Sequence, residues 1–242
     1  FWNPNNDFIF ALSENGADLG KWRVKGVEPK DWEGMDSFVF DGRHYLLIGD
    51  TGDNFRSRKE VSFLVLEEPL LSEVGREITV SWQTSFRFPD GPKDVEAVAV
   101  DLQGKLAIFL NKRELPLRLY SVPLFAINGE IVAKKMAELV PVPRYRSDLE
   151  PLYGPTARYL GLPTGMDLFG ERLLVTTYRN AYLYDYDALN KPPQKIVLPF
   201  SGQREAITFG FESSKVAYVS RERAKGTQVA DIFEIRLSDQ SN

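Results

Sequence analysis

The chain has no cysteine, a single histidine and no long apolar run, and each shortage excludes a class of function. Without cysteine there is no thiol nucleophile, no disulfide framework and no Cys-based zinc site. One histidine, His44, argues against His-centred triads and multi-His metal sites. No segment approaches the roughly 18–20 apolar residues of a membrane span, so we expect no membrane insertion.

An excess of positive charge is also missing, because the formal net charge is −4. A general nucleic-acid binder needs a surplus of Lys and Arg to neutralise phosphates, so we expect no nucleic-acid partner. The hydrophobic share of 43% and the charged share of 26% are those of an ordinary globular domain.

Short alternating apolar runs are abundant, and Gly, Asn, Asp and Pro separate them, as is typical of β-strands. Four of these runs share a marker, in which a polar residue is followed by Gly or Ala and then by an apolar residue. The markers are Glu33-Gly34-Met35, Glu96-Ala97-Val98, Thr164-Gly165-Met166 and Glu205-Ala206-Ile207. Their spacing suits four-stranded blades of about 40–50 residues with loops, which indicates a repeat architecture.

Each marker opens a predicted unit of consecutive strands. The units are predicted over 33–40, 44–49, 61–66 and 78–88; over 95–100, 105–110, 118–122 and 131–142; over 165–168, 172–177, 181–186 and 195–200; and over 205–209, 215–220 and 231–237. With the strands before residue 27 as a further partial blade, the pattern predicts an all-β, five-bladed β-propeller. We expect residues 1–242 to form a single domain and a monomer. The alternative is a six-bladed propeller, with strands hidden in 143–163 or upstream of Phe1.

In a propeller the first strand of each blade lines the central channel. First and second strands are antiparallel, so the starts of the first strands share a face with the ends of the second strands. This face, the channel mouth, is the predicted functional site. An anionic small molecule or a protein ligand is the expected partner there.

The segments Asp31-Trp32-Glu33-Gly34 and Leu47 to Arg56, the latter containing Gly49-Asp50-Thr51-Gly52-Asp53-Asn54, resemble a bacterial family of exported β-propellers of unknown function with a DWE…GDxGDN pattern. Trp2-Asn3, Thr164-Gly165 and Glu205-Ala206 are similar to the same pattern. The resemblance implies the fold and export, so we expect a periplasmic or secreted protein.

A more distant similarity is to five-bladed calcium-dependent apyrases, whose central ion is held by Glu and Ser/Thr residues of the innermost strands. The similarity implies Ca²⁺ ligands at the matching positions, which are Glu33, Glu96, Thr164 and Glu205. An all-oxygen set suits Ca²⁺. Carboxylates about 6 Å apart at an effective dielectric of about 20 repel by roughly 3 kcal/mol per pair, so a cation would relieve them. The alternative is that backbone N–H groups and Lys112, Arg113 or Arg221 neutralise these side chains.

Two further sets of residues are candidates at the mouth. Asp50 and Asp53 are candidate catalytic bases or ligands, or else they build a structural Asx-rich turn. Arg56, Arg113, Arg179 and Arg221 occupy the same place in four units, where they form either an anion-binding rim or ion pairs between blades.

Two functions follow, and the fold alone does not choose between them. In the first, a central cation braces the propeller or helps bind an anion, and a metal-assisted phosphoester hydrolase is the reaction class to test. In the second, the chain is a non-catalytic exported binding module for a protein or a glycan.

Overall fold

The computed structural model describes residues 7–13, 16–125, 129–140, 159–198, 204–211, 213–221 and 232–237. These residues are almost entirely β-strand and turn. The strands are β1 (Phe8–Leu12), β2 (Asp18–Lys25), β3 (Trp32–Phe40), β4 (Arg43–Asp50), β5 (Val61–Glu67), β6 (Glu77–Phe86), β7 (Val95–Asp101), β8 (Leu106–Asn111), β9 (Arg118–Pro123), β10 (Lys134–Glu138), β11 (Pro163–Phe169), β12 (Arg172–Thr177), β13 (Asn180–Asp185), β14 (Gln194–Val197), β15 (Arg204–Gly210), β16 (Ser213–Arg221) and β17 (Ile232–Arg236). Short 3₁₀ turns lie at Leu71–Glu73 and Tyr186–Ala188. No helix in the described part of the chain is long and apolar enough to cross a membrane.

Consecutive strands pair with one another, as in the blades of a propeller. The sheet orders are β1-β2-β6-β5-β4-β3, β10-β9-β8-β7, β11-β12-β13-β14 and β15-β16-β17. Strands that follow one another within a sheet pair in antiparallel fashion. The strand that contains each marker lies at one edge of its sheet. The all-β, propeller-type organisation predicted from the sequence is therefore confirmed.

The described residues form four sheets, where the sequence predicted five blades or, as the alternative, six. The strands before residue 27 do not begin a blade of their own. Instead β2 pairs with the outer strand β6 in parallel, with Arg23 opposite Glu77 and Lys25 opposite Thr79. Trp22 and Val24 then bury their side chains in the same apolar cluster as Leu64. The open edge of β6 and this burial explain why the N-terminal strands extend the first sheet. Phe1-Trp2 and most of 143–163 lie outside the described residues.

The chain divides into two compact units, residues 1–109 with 120–135 and residues 110–119 with 136–242. In the first unit, Phe63, Phe86 and Phe109 pack their rings with centroids 4.8–6.4 Å apart inside a large apolar core. In the second unit, a smaller core contains Leu174, Phe209 and other buried side chains of the last two sheets. Whether the whole chain is one domain remains a prediction.

In each unit, a Gly-Met-Asp segment lies where the first strands of two neighbouring sheets pack against each other. In the first unit β3 lies against β7, and a Cβ on Gly34 would stand 2.8 Å from the Glu96 carbonyl oxygen. In the second unit β11 lies against β15, and a Cβ on Gly165 would stand 3.1 Å from the Ala206 Cα. The glycines therefore permit the close approach of two backbones.

The aspartate two residues after each glycine completes the junction. The Asp36 carboxylate accepts a hydrogen bond of 2.6 Å from the Val100 N–H of β7. The Asp167 carboxylate accepts bonds from the Phe209 N–H (2.7 Å) and the Thr208 hydroxyl (2.8 Å) of β15. The glycines of the two markers thus have a packing role, and the aspartates satisfy backbone donors of the next sheet.

Candidate functional site: the Asp50–Glu60 loop

A loop with many side-chain hydrogen bonds follows β4 in the first unit and contains the Gly49-to-Asn54 segment. Asp50 ends the strand, and its carboxylate accepts hydrogen bonds from the backbone N–H groups of Lys30 (3.1 Å) and Asp31 (3.0 Å). The Arg58 guanidinium forms an ion pair with the same carboxylate at 3.0 Å. The two paired side chains are only 8% and 16% exposed. Asp50 therefore uses its oxygens to hold the segment before β3 and the end of the loop together.

Asp53 organises the turn that follows. Its carboxylate accepts hydrogen bonds from the backbone N–H groups of Ser57 (3.0 Å) and Arg58 (2.8 Å). Its carbonyl oxygen accepts the Arg56 N–H at 2.8 Å. The Asp53 side chain thus closes the turn by accepting the N–H groups four and five residues further along the chain. The buried carboxylate of Asp53 thus points into its own loop.

The loop is also fastened to the start of β7. The Thr51 hydroxyl donates to the Val95 carbonyl at 2.9 Å, and the Val95 N–H donates to the Thr51 carbonyl at 3.3 Å. The Asp53 N–H donates to the buried Asp94 carboxylate at 2.9 Å. Two neighbouring sheets of the first unit are therefore joined through this loop.

The tip of the loop, in contrast, projects into solvent. The Phe55 side chain is 92% exposed, and Arg56, Ser57 and Lys59 are exposed beside it. Arg56 has a φ of 52°, in the left-handed region that costs a non-glycine residue roughly 1 kcal/mol or more. The bonds from Asp53 hold Arg56 in this conformation. The tip is therefore a rigid projection that presents an aromatic ring and a basic side chain.

Arg58 was not selected as a site residue from the sequence, whereas Asp31 was already part of the Asp31-Trp32-Glu33-Gly34 segment. Arg58 forms the ion pair with Asp50 and also donates to the Gly52 carbonyl at 2.8 Å. Asp31 is half-buried against Gly52, and its pKa is raised by burial first and by the Asp94 carboxylate next, with Arg58 opposing the shift. A basic residue five positions after Asp53 is the signal that could have identified Arg58.

The predicted calcium ligands lie in two pairs of adjacent strands. In the first unit, Glu33 on β3 is exposed and Glu96 on β7 is 8% exposed. In the second unit, Thr164 on β11 is 2% exposed and Glu205 on β15 is half-buried. The Thr164 hydroxyl is buried and has no hydrogen-bond partner among the residues that the structure describes. Over the same residues, no group of three or more His, Cys, Asp or Glu side chains is placed to hold a metal ion.

The four arginines of the predicted anion-binding rim each lie at or after the end of a second strand. Arg56 is at the loop tip after β4, whereas Arg113 and Arg179 follow β8 and β12 closely and are half-buried. Arg221 is the last residue of β16 and stacks over the Phe233 ring at 5.7 Å. The Arg221 side chain thus contacts a ring of its own sheet, because β16 pairs with β17.

In the second unit, two buried basic side chains contact Tyr178. The Lys112 ammonium group donates to the Tyr178 hydroxyl at 2.9 Å and lies 5.1 Å from the centre of its ring. The Arg204 guanidinium donates to the Tyr178 carbonyl at 2.8 Å. Lys112 and Arg204 are only 3% and 4% exposed. The tyrosine thus accepts hydrogen bonds from two cations that water does not reach freely.

No protein-family model and no curated protein matches the chain. Among solved structures it is similar to Kuenenia stuttgartiensis hydrazine synthase, at 12% identity and a TM-score of 0.47, over 88% of this chain and 49% of that one. It is also similar to a luciferin-regenerating enzyme (11% identity, TM-score 0.48, 94% of this chain and 70% of that chain). A third similar structure is the Myceliophteria thermophila Cps50 (Swd1) β-propeller domain (14% identity, TM-score 0.46, 98% and 70%). The chain spans about half the length of the hydrazine synthase chain. At these TM-scores the similarities carry no argument about activity.

Proposed function

We propose that this chain is a non-catalytic binding module for another protein, and that it binds through the Asp50–Glu60 loop. The observation that carries the proposal is that the polar side chains of the loop bond within the protein while its aromatic ring is exposed to solvent. The carboxylates of Asp50 and Asp53 accept internal hydrogen bonds, while the Phe55 ring is left 92% exposed at the tip. A general base must reach the proton it removes, and these two carboxylates are already engaged with backbone N–H groups.

A rigid projection of this kind is well suited to binding. A loop that is already ordered loses little conformational entropy when a partner covers it. Aromatic and arginine side chains are enriched in the buried centres of protein interfaces. A protein is therefore a better-supported partner than a glycan, since the proposal depends on an apolar anchor.

The catalytic alternative has a direct test. The purified chain and its Asp53→Asn and Glu96→Gln variants are incubated with a panel of phosphomonoesters, phosphodiesters and nucleotides, with Ca²⁺ and with excess EDTA. We expect no turnover above the background of a mock purification. Calcium-stimulated turnover that is lost in a folded Asp53→Asn variant would contradict the proposal.

The binding function has its own test, in which a photoreactive amino acid replaces one exposed aromatic residue at a time. Phe55, Phe169 and Phe211 are suitable positions, because they are 92%, 40% and 86% exposed. The chain is expressed in its source cells, irradiated, and its cross-linked products are identified. We expect a defined protein to be cross-linked at one of these positions. The absence of any specific product from all three would count against a binding module.

Calcium at Glu33, Glu96, Thr164 and Glu205 remains a second proposal. What favours it is the buried Thr164 hydroxyl, an oxygen ligand that has no partner among the described residues, together with the buried carboxylate of Glu96. An ion that prefers the folded state raises the melting temperature. If the proposal is correct, excess EDTA lowers the Tm, Ca²⁺ restores it, and Thr164→Val reduces the difference. An equal Tm with EDTA and with Ca²⁺ would exclude a stabilising ion.

Export and a monomeric state are also proposals that rest on the sequence. Fractionation of the source cells tests for a periplasmic or secreted protein, and light scattering of the purified chain tests for a monomer.

A further inference from the structure

We infer that the outer edge of β17, in the fourth sheet, binds an extended segment of a partner protein as an additional strand. β17 lies in the second compact unit and the Asp50–Glu60 loop in the first, so the inference does not rest on the proposed function. The segment that fits this edge has apolar side chains at alternate positions, and one basic and one acidic residue that lie opposite Glu234 and Arg236.

The number of strands in each sheet is the first supporting observation. The second and third sheets have four strands each, and their fourth strands are β10 and β14. The first sheet has six strands, because β2 pairs with the outer edge of β6 and β1 with β2. The fourth sheet consists of β15, β16 and β17 over the residues that the structure describes. An outer edge thus accepts an added strand at β6, and β17 ends its sheet one strand earlier than β10 and β14 end theirs.

The amino-acid sequences of these outer strands are the second observation. β10 and β14 carry lysines, at 134, 135 and 195, and lysine on an edge strand opposes pairing with another chain. β17 has the sequence Ile-Phe-Glu-Ile-Arg and contains no lysine. Phe233 and Ile235 are half-buried, and Ile235 packs against the apolar core of the last two sheets. An added strand would extend this core with its alternate side chains.

The direction of the backbone groups is the third observation. The Leu237 N–H, just after β17, donates to the Lys215 carbonyl of β16 at 2.7 Å. The backbone groups of alternate residues point to the same side of a strand. The N–H and C=O groups of Ile232, Glu234 and Arg236 therefore point away from β16, to the outer edge. A segment that lies along this edge can form main-chain hydrogen bonds with them, which is the basis of binding by strand addition.

Two exposed side chains of β17 determine which charges the segment should carry. Glu234 and Arg236 are two residues apart, so they share the face of the sheet opposite to Ile235. Opposite charges that face each other on adjacent strands stabilise the pairing, and like charges destabilise it. A segment with one base and one acid two residues apart can complement both side chains, whereas two bases or two acids cannot.

Hydrogen exchange of the isolated chain, followed for single amides by NMR, is the first test. We expect the N–H groups of Ile232, Glu234 and Arg236 to exchange faster than those of Phe233 and Ile235, which point to β16. Equal protection of all five would show that this chain or a second copy already covers the edge, and the inference would be wrong.

The second test titrates a defined probe into the isotope-labelled chain. The probe is the peptide Thr-Val-Lys-Val-Glu-Val-Thr, and control peptides carry lysine or glutamate at both charged positions. The same titrations use the variants Glu234→Pro and Glu234→Thr. Proline removes an N–H that points to the edge and leaves the pairing with β16 intact, whereas threonine keeps the N–H. Melting curves check the fold of both variants.

We expect the probe to shift the amide signals of Ile232–Arg236 and to bind about threefold or more tightly than either control peptide. Glu234→Pro should weaken binding about tenfold or more, and Glu234→Thr by less than about threefold.

Three results would overturn the inference. One is the absence of saturable shifts in β17 at peptide concentrations up to about 1 mM, or shifts confined to other strands. Another is equal affinity of the Glu234→Pro and Glu234→Thr variants, which would show that the outward N–H takes no part. The third is equal affinity for the three peptides, which would reject the proposed charge pairing.

Discussion

At the scale of single residues, the aspartates of the two Gly-Met-Asp segments have the same structural role in the two units. Asp36 and Asp167 both accept a backbone N–H of the neighbouring first strand. Burial raises the pKa of Asp167, and the hydrogen bonds from Phe209 and Thr208 only partly oppose the shift. The folded protein therefore holds the Asp167 proton more tightly than the unfolded chain does.

This shift predicts a dependence of stability on pH. Because the folded pKa is raised, the stabilisation from Asp167 is fully present below its ordinary value of 3.8 and is lost as the pH rises through the folded pKa. In Asp167→Asn the amide oxygen can accept the same bonds without a charge. We expect the free energy of unfolding of this variant, relative to the wild type, to rise between pH 3.5 and pH 7. Urea denaturation at the two values measures it, and a constant or falling difference would contradict the argument.

At the scale of elements, β3 approaches β7 closely at Gly34. A Cβ there would meet the Glu96 carbonyl oxygen at 2.8 Å and the Val98 N at 3.2 Å, which are backbone atoms that cannot rotate away. Gly34→Ala should therefore lower the free energy of unfolding by roughly 2 kcal/mol. Gly210→Ala is the matched control, since the nearest atoms belong to the Val216 side chain at 3.3 Å. Urea denaturation measures both variants. Equal losses of unfolding free energy would show that the close approach of β3 to β7 does not determine the cost of Gly34→Ala.

The loop after β4 gives a second prediction at this scale. Asp53→Ala removes the acceptor of two backbone N–H groups. Each lost hydrogen bond should lower the free energy of unfolding by about 1 kcal/mol or more. Asp53→Asn retains one acceptor oxygen and should have an intermediate effect. Trypsin can cleave after Arg56, Arg58 and Lys59, so cleavage within 54–60 should be slowest in the wild type and fastest in Asp53→Ala. An unchanged cleavage rate in Asp53→Ala would mean that other contacts hold the tip.

Most strands could be predicted from the sequence, and the exceptions have a physical reason. Alternation and turn residues located β3 to β9 and β11 to β17 within a few residues, because both signals are local. The assignment of β1 and β2 to a separate blade was wrong, since alternation says that a strand has a buried face and not which edge it pairs with. The close approach of backbones at Gly34 follows from the marker pattern, whereas the role of Asp50 depends on Arg58, which no sequence pattern marks. Such contacts become visible only when the fold is known.

At the scale of the whole molecule, the boundary between the two compact units falls inside strands. The first unit stops at Phe109 and resumes at Tyr120, so β8 and β9 each contribute residues to both units. A strand loses its ladder of hydrogen bonds cooperatively, so we expect a single calorimetric transition whose calorimetric and van't Hoff enthalpies agree. Two resolved transitions would contradict the prediction that residues 1–242 form a single domain.

The alternation of the Gly-Met-Asp strands with the Glu-Ala strands has a consequence for the ancestry of the chain. Gly34 and Gly165 belong to the first and third sheets, while Ala97 and Ala206 belong to the second and fourth. Over the described residues the structural repeat is thus a pair of sheets, in which one first strand carries the accepting aspartate and the other the donating N–H. A gene that grew by duplication would have copied such a pair as one segment, and a designer who lengthens or shortens the protein should do so two sheets at a time.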